Sequence, residues 1–97
     1  MIRYEMDSIN GALADFTHVV AMDSTYPLVY FQRALAYLKL NDTTNALHDY
    51  GKVLQLDSAN SLTYYNRALV YTMQKKYNKA LQDMNKVVAL NPFNVYG

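Results

Sequence analysis

Apolar residues recur along this chain at helical spacing, in clusters parted by short polar breaks. Leu28, Tyr30, Phe31, Ala34, Leu35, Tyr37 and Leu38 form one cluster, and Ala46, Leu47, Tyr50, Val53 and Leu54 the next. Asn41-Asp42-Thr43-Thr44-Asn45, Gln74-Lys75-Lys76, Asp57-Ser58-Ala59-Asn60 and Asn91-Pro92-Phe93-Asn94 are the breaks. Ser, Asn and Asp suit helix caps, and Pro cannot continue a helix interior. The pattern predicts helices at about 8–22, 26–40, 43–56, 60–74 and 77–90. The loops are short, so successive helices should pack antiparallel. No useful stretch alternates as a strand would.

The clusters repeat. Ala12-Leu13-Ala14-Asp15 returns as Ala46-Leu47-His48-Asp49 and again as Ala80-Leu81-Gln82-Asp83. Aligning 27–60 with 61–94 leaves roughly 13 of 34 positions identical, and the matches sit in two helical groups per unit. Tyr30, Arg33, Ala34, Leu35 and Tyr37 recur as Tyr64, Arg67, Ala68, Leu69 and Tyr71. A constant interval of this size marks stacked helix-turn-helix units rather than a closed globule.

The two helices of a unit differ. The second has one apolar stripe, built on Ala46, Tyr50 and Val53, and a polar face of Asn45, His48, Lys52 and Gln55. The first has two apolar stripes: Tyr30, Ala34 and Tyr37, and Leu28, Phe31, Leu35 and Leu38. One stripe can pack on neighbouring helices, and the other is expected to line the inner curve of the stack. Ala34 and Ala68 are expected to face Ala46 and Ala80 across the hairpins. Gly51 stands inside a predicted helix without an evident reason, leaving a close helix approach and simple tolerance both open.

Composition narrows the functional classes. The chain has 97 residues, 52% of them hydrophobic and 18% charged, which suits one globular domain. A net charge of +1 with mixed signs lacks the clustered basic face of a nucleic-acid binder. Cys is absent, excluding disulfides and thiolate metal sites. No apolar run is long enough to cross a bilayer, and the first residues lack the order of a signal peptide. The sequence leaves the compartment open and leans toward the cytoplasm.

His18 and His48 have no ligand-spaced partners, no Ser sits in a nucleophile motif, and the three Gly form no phosphate loop. The expectation is no catalysis, no cofactor and no metal. The five Met read as gap-fillers. Arg33 and Arg67 recur in register with Asp15, Asp49 and Asp83. They are read as a structural ion-pair ladder between neighbouring helices, the alternative being anion binders in the groove.

On these residues the chain resembles the tetratricopeptide repeat family. Its opening aromatic matches Tyr30 and Tyr64, its first-helix small residue Ala34 and Ala68, and its first-helix Tyr matches Tyr37 and Tyr71. The small residue opening the second helix matches Ala12, Ala46 and Ala80, and the large residue a turn later Phe16, Tyr50 and Met84. The chain departs from the pattern at Ser24 and Ser58, where the closing Pro stands only at Pro92. It departs also at Arg33 and Arg67 in place of Leu, and at Val19, Val53 and Val87 in place of Ala.

The resemblance implies an all-α fold: a right-handed α-α superhelix, or solenoid, of about five helices. Residues 1–97 then read as one domain fragment, with a partial repeat (second helix only) at 1–26, repeats at 27–60 and 61–94, and a stub at 95–97. It also implies a non-catalytic scaffold that binds a peptide segment or partner helix on an apolar concave groove. The candidate groove residues are Leu28, Phe31, Gln32, Leu35, Leu62, Tyr65, Asn66 and Leu69. Packing between repeats is the competing role for Phe31, Leu35 and Leu69. Asn66 falls where chaperone-binding relatives grip a peptide's terminal carboxylate. Phe31 and Leu35 occupy two other places of that clamp, so a carboxylate clamp is not expected. The alternative function is structural, with copies stacking end to end through Ile9, Leu13, Phe16, Val20 and the last helix. RNA binding, as in related helical repeats, would require a more basic inner face.

Overall fold

The computed structural model describes residues 2–91, with side chains from Ser8 onward. Five helices follow one another: α1 (Ile2–Met22), α2 (Pro27–Lys39), α3 (Thr43–Leu56), α4 (Ser61–Met73) and α5 (Tyr77–Leu90). No strand occurs among the described residues. The unit-closing Pro92 and the stub at 95–97 lie outside the described residues.

Local chemistry sets the helix ends. Pro27 occupies the first turn of α2, where its missing N–H leaves nothing unpaired. Asp42 caps α3 by accepting from the Asn45 backbone N–H at 3.2 Å. Asn60 caps α4, accepting from both the backbone N–H (3.0 Å) and the hydroxyl (2.9 Å) of Thr63. The first helix is longer than the expected 8–22. Residues 2–7 contain neither Gly nor Pro, so nothing stops the helix there, and Ser8 and Asn10 are tolerated inside it.

The two hairpin turns are copies of each other. The Asp42 N–H donates to the Tyr37 carbonyl at 2.9 Å, and the Lys76 N–H to the Tyr71 carbonyl at 2.8 Å. These six-to-one bonds close α2 and α4 through a left-handed residue, Asn41 at φ 61° and Lys75 at φ 63°. Asn tolerates that region better than Lys, whose Cβ crowds the following carbonyl. Lys75→Gly should therefore raise stability by about 1 kcal/mol after allowing for the added freedom of the unfolded chain. At Gly51 a Cβ would meet nothing within 4 Å, so no close approach explains the glycine. Gly51→Ala should gain about 1 kcal/mol from helix propensity. Urea midpoints check both, and a loss of stability in either variant contradicts the local reading.

Each repeat is a tight hairpin, α2 on α3 and α4 on α5, while α1 packs on α2 and α3 on α4. The core holds Ala34, Ala46, Tyr50 and Val70, with Phe31, Tyr37, Leu38 and Leu47 packed against it. Ala34 and Ala46 are both fully buried, and Ala68 and Ala80 are buried in the second hairpin. The small side chains let the paired helices approach, and Tyr50 fills the space between repeats. Tyr30 and Tyr64 each donate a hydroxyl bond of 3.2 Å to a carbonyl six residues back, Ser24 and Ser58, tying each first helix to the turn before it.

Candidate functional site

On α2 and α4 the second apolar stripe is left largely open. Leu28 and Leu62 keep 66% and 57% of their surface exposed, and Tyr65 and Leu69 are exposed as well. Phe31 and Leu35 are half-buried. The spacing i, i+3, i+7 puts each set on one helix face, and the repeat places the two faces side by side. Leu28, Phe31 and Leu62 meet in one shallow depression of about 340 Å³, together with Pro27, Asp57 and Asn60. Leu35, Asn66 and Leu69 meet in a second of about 260 Å³, with Leu38, Tyr50, Val70 and Met73. Gln32 lies on the other side of α2. It lines a third depression, about 280 Å³, with Leu35, Lys39, and Ile9, Ala12 and Phe16 of α1. Tyr65 lines none of the three.

The geometry divides the roles of these residues. The Phe31 ring stands 5.7 Å from that of Tyr50 at an interplanar angle of 57°, so Phe31 belongs partly to the core. Leu28 and Leu62 have no such tie. Met73 and Lys39, equivalent positions in the repeat, each line a depression, although the stripe pattern did not single them out. Both are the last residue of the first helix of their unit; Lys39 is polar, while Met73, four residues after Leu69, continues the stripe.

The charged residues lie elsewhere. The Arg33 guanidinium donates through Nε and Nη2 to the two oxygens of Asp49, both at 2.8 Å, and Arg67 grips Asp83 in the same way at 2.8 Å. Asp49 is 1% exposed. The carboxylate bond raises each arginine's pKa above its ordinary value, with burial opposing it. Arg33 also lies between the Tyr30 and Tyr37 rings, 5.6 and 5.9 Å from their centroids, and Arg67 lies 5.8 Å from both Tyr64 and Tyr71. This sandwich accounts for the Tyr-Arg-Tyr recurrence. Both pairs sit within hairpins, away from the three depressions. Arg33 further reaches Thr17 of α1 at 3.4 Å. Each arginine reaches the aspartate 16 residues ahead, so the matching position for Asp15 would fall before residue 1. Asp15 stands exposed and joins neither arginine.

His18 and His48 are exposed. Among the described residues, no group of three or more His, Asp or Glu gathers where it could hold a metal. No helix there is long and apolar enough to cross a membrane. At the chain ends, Ile9, Leu13, Phe16 and Val20 are half-buried, whereas Leu81 and Val88 of α5 are exposed.

Repeated helical hairpins stacked in this way define a helical-repeat scaffold of the kind that mediates protein interaction. Tetratricopeptide repeat models match residues 27–60 and 61–94, and the chain belongs to the tetratricopeptide repeat family. No curated protein matches it. Among solved structures, the crystal structure of MamA has a TM-score of 0.87 at 16% identity, covering 97% of this chain and 55% of that one. This chain thus spans about half the length of MamA. The second TPR of Spaghetti (RPAP3), bound to the HSP90 peptide SRMEEVD, has a TM-score of 0.79 at 29% identity, covering 90% of this chain and 81% of that one. The second TPR domain of human RPAP3, in complex with the HSP70 peptide SGPTIEEVD, gives 0.81 at 29%, covering 93% and 75%.

Proposed function

We propose that the chain recruits a protein partner by holding a peptide segment or a helix against the inner faces of α2 and α4. The exposed leucines carry this reading. Leu28 and Leu62 hold equivalent positions on successive first helices and lie against one depression. Burying such side chains against a partner would contribute about 25 cal/mol per Å² of apolar surface before the costs of association. Asn66 supplies an amide for the partner's backbone between α2 and α4, and Gln32 supplies one only to a segment that crosses α2 toward α1.

The RPAP3 domains bind chaperone peptides that end in the acidic sequence EEVD. The present groove is less suited to that chemistry. Of the residues lining its three depressions, Lys39 is the one cation, and Asp57 adds a negative charge at the opposite end of α2. An acidic carboxylate terminus would lose hydration there without finding a counter-charge cluster. The favoured partner is a neutral, apolar segment.

The variant Leu28→Glu/Leu62→Glu tests the reading. Its melting temperature should match the parent within a few degrees, because both side chains are exposed. Its recovery of partners in a pull-down should fall at least about tenfold. Partner recovery equal to that of the parent protein removes the groove from consideration. Phe31→Ala is the poorer probe, since Phe31 also packs on Tyr50.

A second reading, structural stacking of copies, is favoured by one observation. Leu81 of α5 is exposed, whereas its equivalent Leu47 is half-buried beside the core. If α5 takes a second copy, sedimentation shows a dimer that Leu81→Glu abolishes. A monomer at all concentrations excludes it.

A further inference from the structure

Asp15 of α1 occupies the position that Asp49 and Asp83 hold in α3 and α5, yet it is exposed where they are 1% and 4% exposed. What buries Asp49 and Asp83 is the first helix of each hairpin, which lays an arginine on the carboxylate through two bonds of 2.8 Å. The apolar residues beside them follow the same rule. Ala46, Tyr50 and Val53 of α3 are fully buried, whereas their equivalents Ala12 and Phe16 are half-buried and Val19 is 36% exposed. Ala12, Asp15, Phe16 and Val19 fall at i, i+3, i+4 and i+7, so they share one face of α1. The depression between α1 and α2 repeats the one between α3 and α4. Phe16, Gln32, Leu35, Ala36 and Lys39 stand where Tyr50, Asn66, Leu69, Val70 and Met73 stand. The remaining wall differs. Between α3 and α4 it is Leu35 and Leu38 of α2, the helix paired with α3. Between α1 and α2, among the described residues, it is Ser8, Ile9 and Ala12 of α1 itself.

We infer that this face of α1 is a docking surface for a helix of a partner protein, one that brings an arginine to Asp15. The two hairpins of the same molecule show what such a helix needs. In each, the arginine is followed directly by a buried alanine, Ala34 or Ala68, which lets the helices close on each other. A tyrosine stands three residues before it and another four after, their rings 5.6 to 5.9 Å from the guanidinium. The partner's signature is therefore Tyr-x-x-Arg-Ala-x-x-Tyr on an amphipathic helix. Residues 8–23 carry Asp15 and Asp23 and neither Lys nor Arg, so the face favours a cationic occupant. A helix without the arginine would cover Asp15 and leave its charge without a counter-charge. Lysine is the poorer substitute, because the guanidinium fork meets both carboxylate oxygens at once. The surface lies on α1 and does not involve Leu28 or Leu62, so it stands apart from the groove reading.

The probe is a synthetic peptide of residues 23–42, which carries this signature. It is titrated onto the full chain and followed by the fluorescence anisotropy of a label on the peptide. Saturable binding is expected, and the peptide should gain helical circular dichroism as it docks, since so short a helix is marginal alone in water. Asp15→Asn in the chain should weaken binding at least about tenfold at an unchanged melting temperature, because Asp15 is exposed. Arg33→Gln in the peptide should weaken it by a similar factor. The two changes together should cost little more than either one, because they remove the same pair. Absence of binding overturns the inference. Binding that survives both changes overturns it too, and its loss on Leu28→Glu/Leu62→Glu would then place the peptide in the groove. A chain that sediments alone as a dimer, dissociated by Asp15→Asn, would give the face to a second copy and overturn the partner helix.

Discussion

Arg33→Ala is expected to lower the unfolding free energy by about 3–5 kcal/mol, because it leaves the Asp49 carboxylate buried without its partner. Asp49 is 1% exposed and takes two hydrogen bonds of 2.8 Å from the guanidinium. The flanking Tyr30 and Tyr37 rings, less than 6 Å from the cation, lose a contact as well. Arg67→Ala should cost somewhat less, since the Arg67 and Asp83 side chains are 22% and 6% exposed against 13% and 1% for Arg33 and Asp49. Lys86→Ala, on an exposed position, should stay within about 0.5 kcal/mol. For a domain of this size each kcal/mol moves the melting temperature by about 4–8 °C, so thermal scans separate the three variants. The double variant Arg33→Met/Asp49→Leu should recover most of the loss, because it leaves neither charge buried alone. A single Arg33→Ala variant that melts with Lys86→Ala would show that the pair does not hold the hairpin.

Tyr50→Ala should cost about 3–5 kcal/mol, the range for emptying a large aromatic site in a packed core. Tyr50 is fully buried, touches the Phe31 ring and belongs to the cluster that joins Ala34 and Ala46 to Val70. It is therefore the side chain through which one hairpin grips the next. Tyr50→Phe keeps the ring and removes only an unpartnered hydroxyl, so its effect on stability should stay within about 1 kcal/mol. Leu28→Ala, on the exposed stripe, should change stability by less than about 0.5 kcal/mol. Urea unfolding of the three variants checks the order. A Leu28→Ala cost comparable to that of Tyr50→Ala would mean that the inner stripe is packing surface rather than free surface.

Much of this architecture was legible in the chain because each element announces itself locally. The stripe of Tyr30, Ala34 and Tyr37 and its copy at Tyr64, Ala68 and Tyr71 indicated paired helices, since 3.6 residues per turn brings those positions onto one face. Asp42 and Asn60 signalled the starts of α3 and α4 by cap chemistry that depends on neighbours three residues away. The left-handed turn residues were not legible. Asn41 and Lys75 share a backbone conformation imposed by the hairpin closure, and Lys carries no preference for it. The split of the candidate site was hidden for a related reason. Gln32 and Asn66 are equivalent in sequence, yet α1 covers one side of Gln32 while Asn66 sits against α3.

The sequence by itself determined the helices, their pairing and the presence of a second apolar stripe, because periodicity and small residues act within one unit. The tertiary structure decided which of those stripe residues are bound into the core, which arginine meets which aspartate, and where a tyrosine hydroxyl is buried without a partner. Those outcomes depend on distances between helices far apart in the chain, and identical local patterns take on different roles according to what the neighbouring repeat places opposite them.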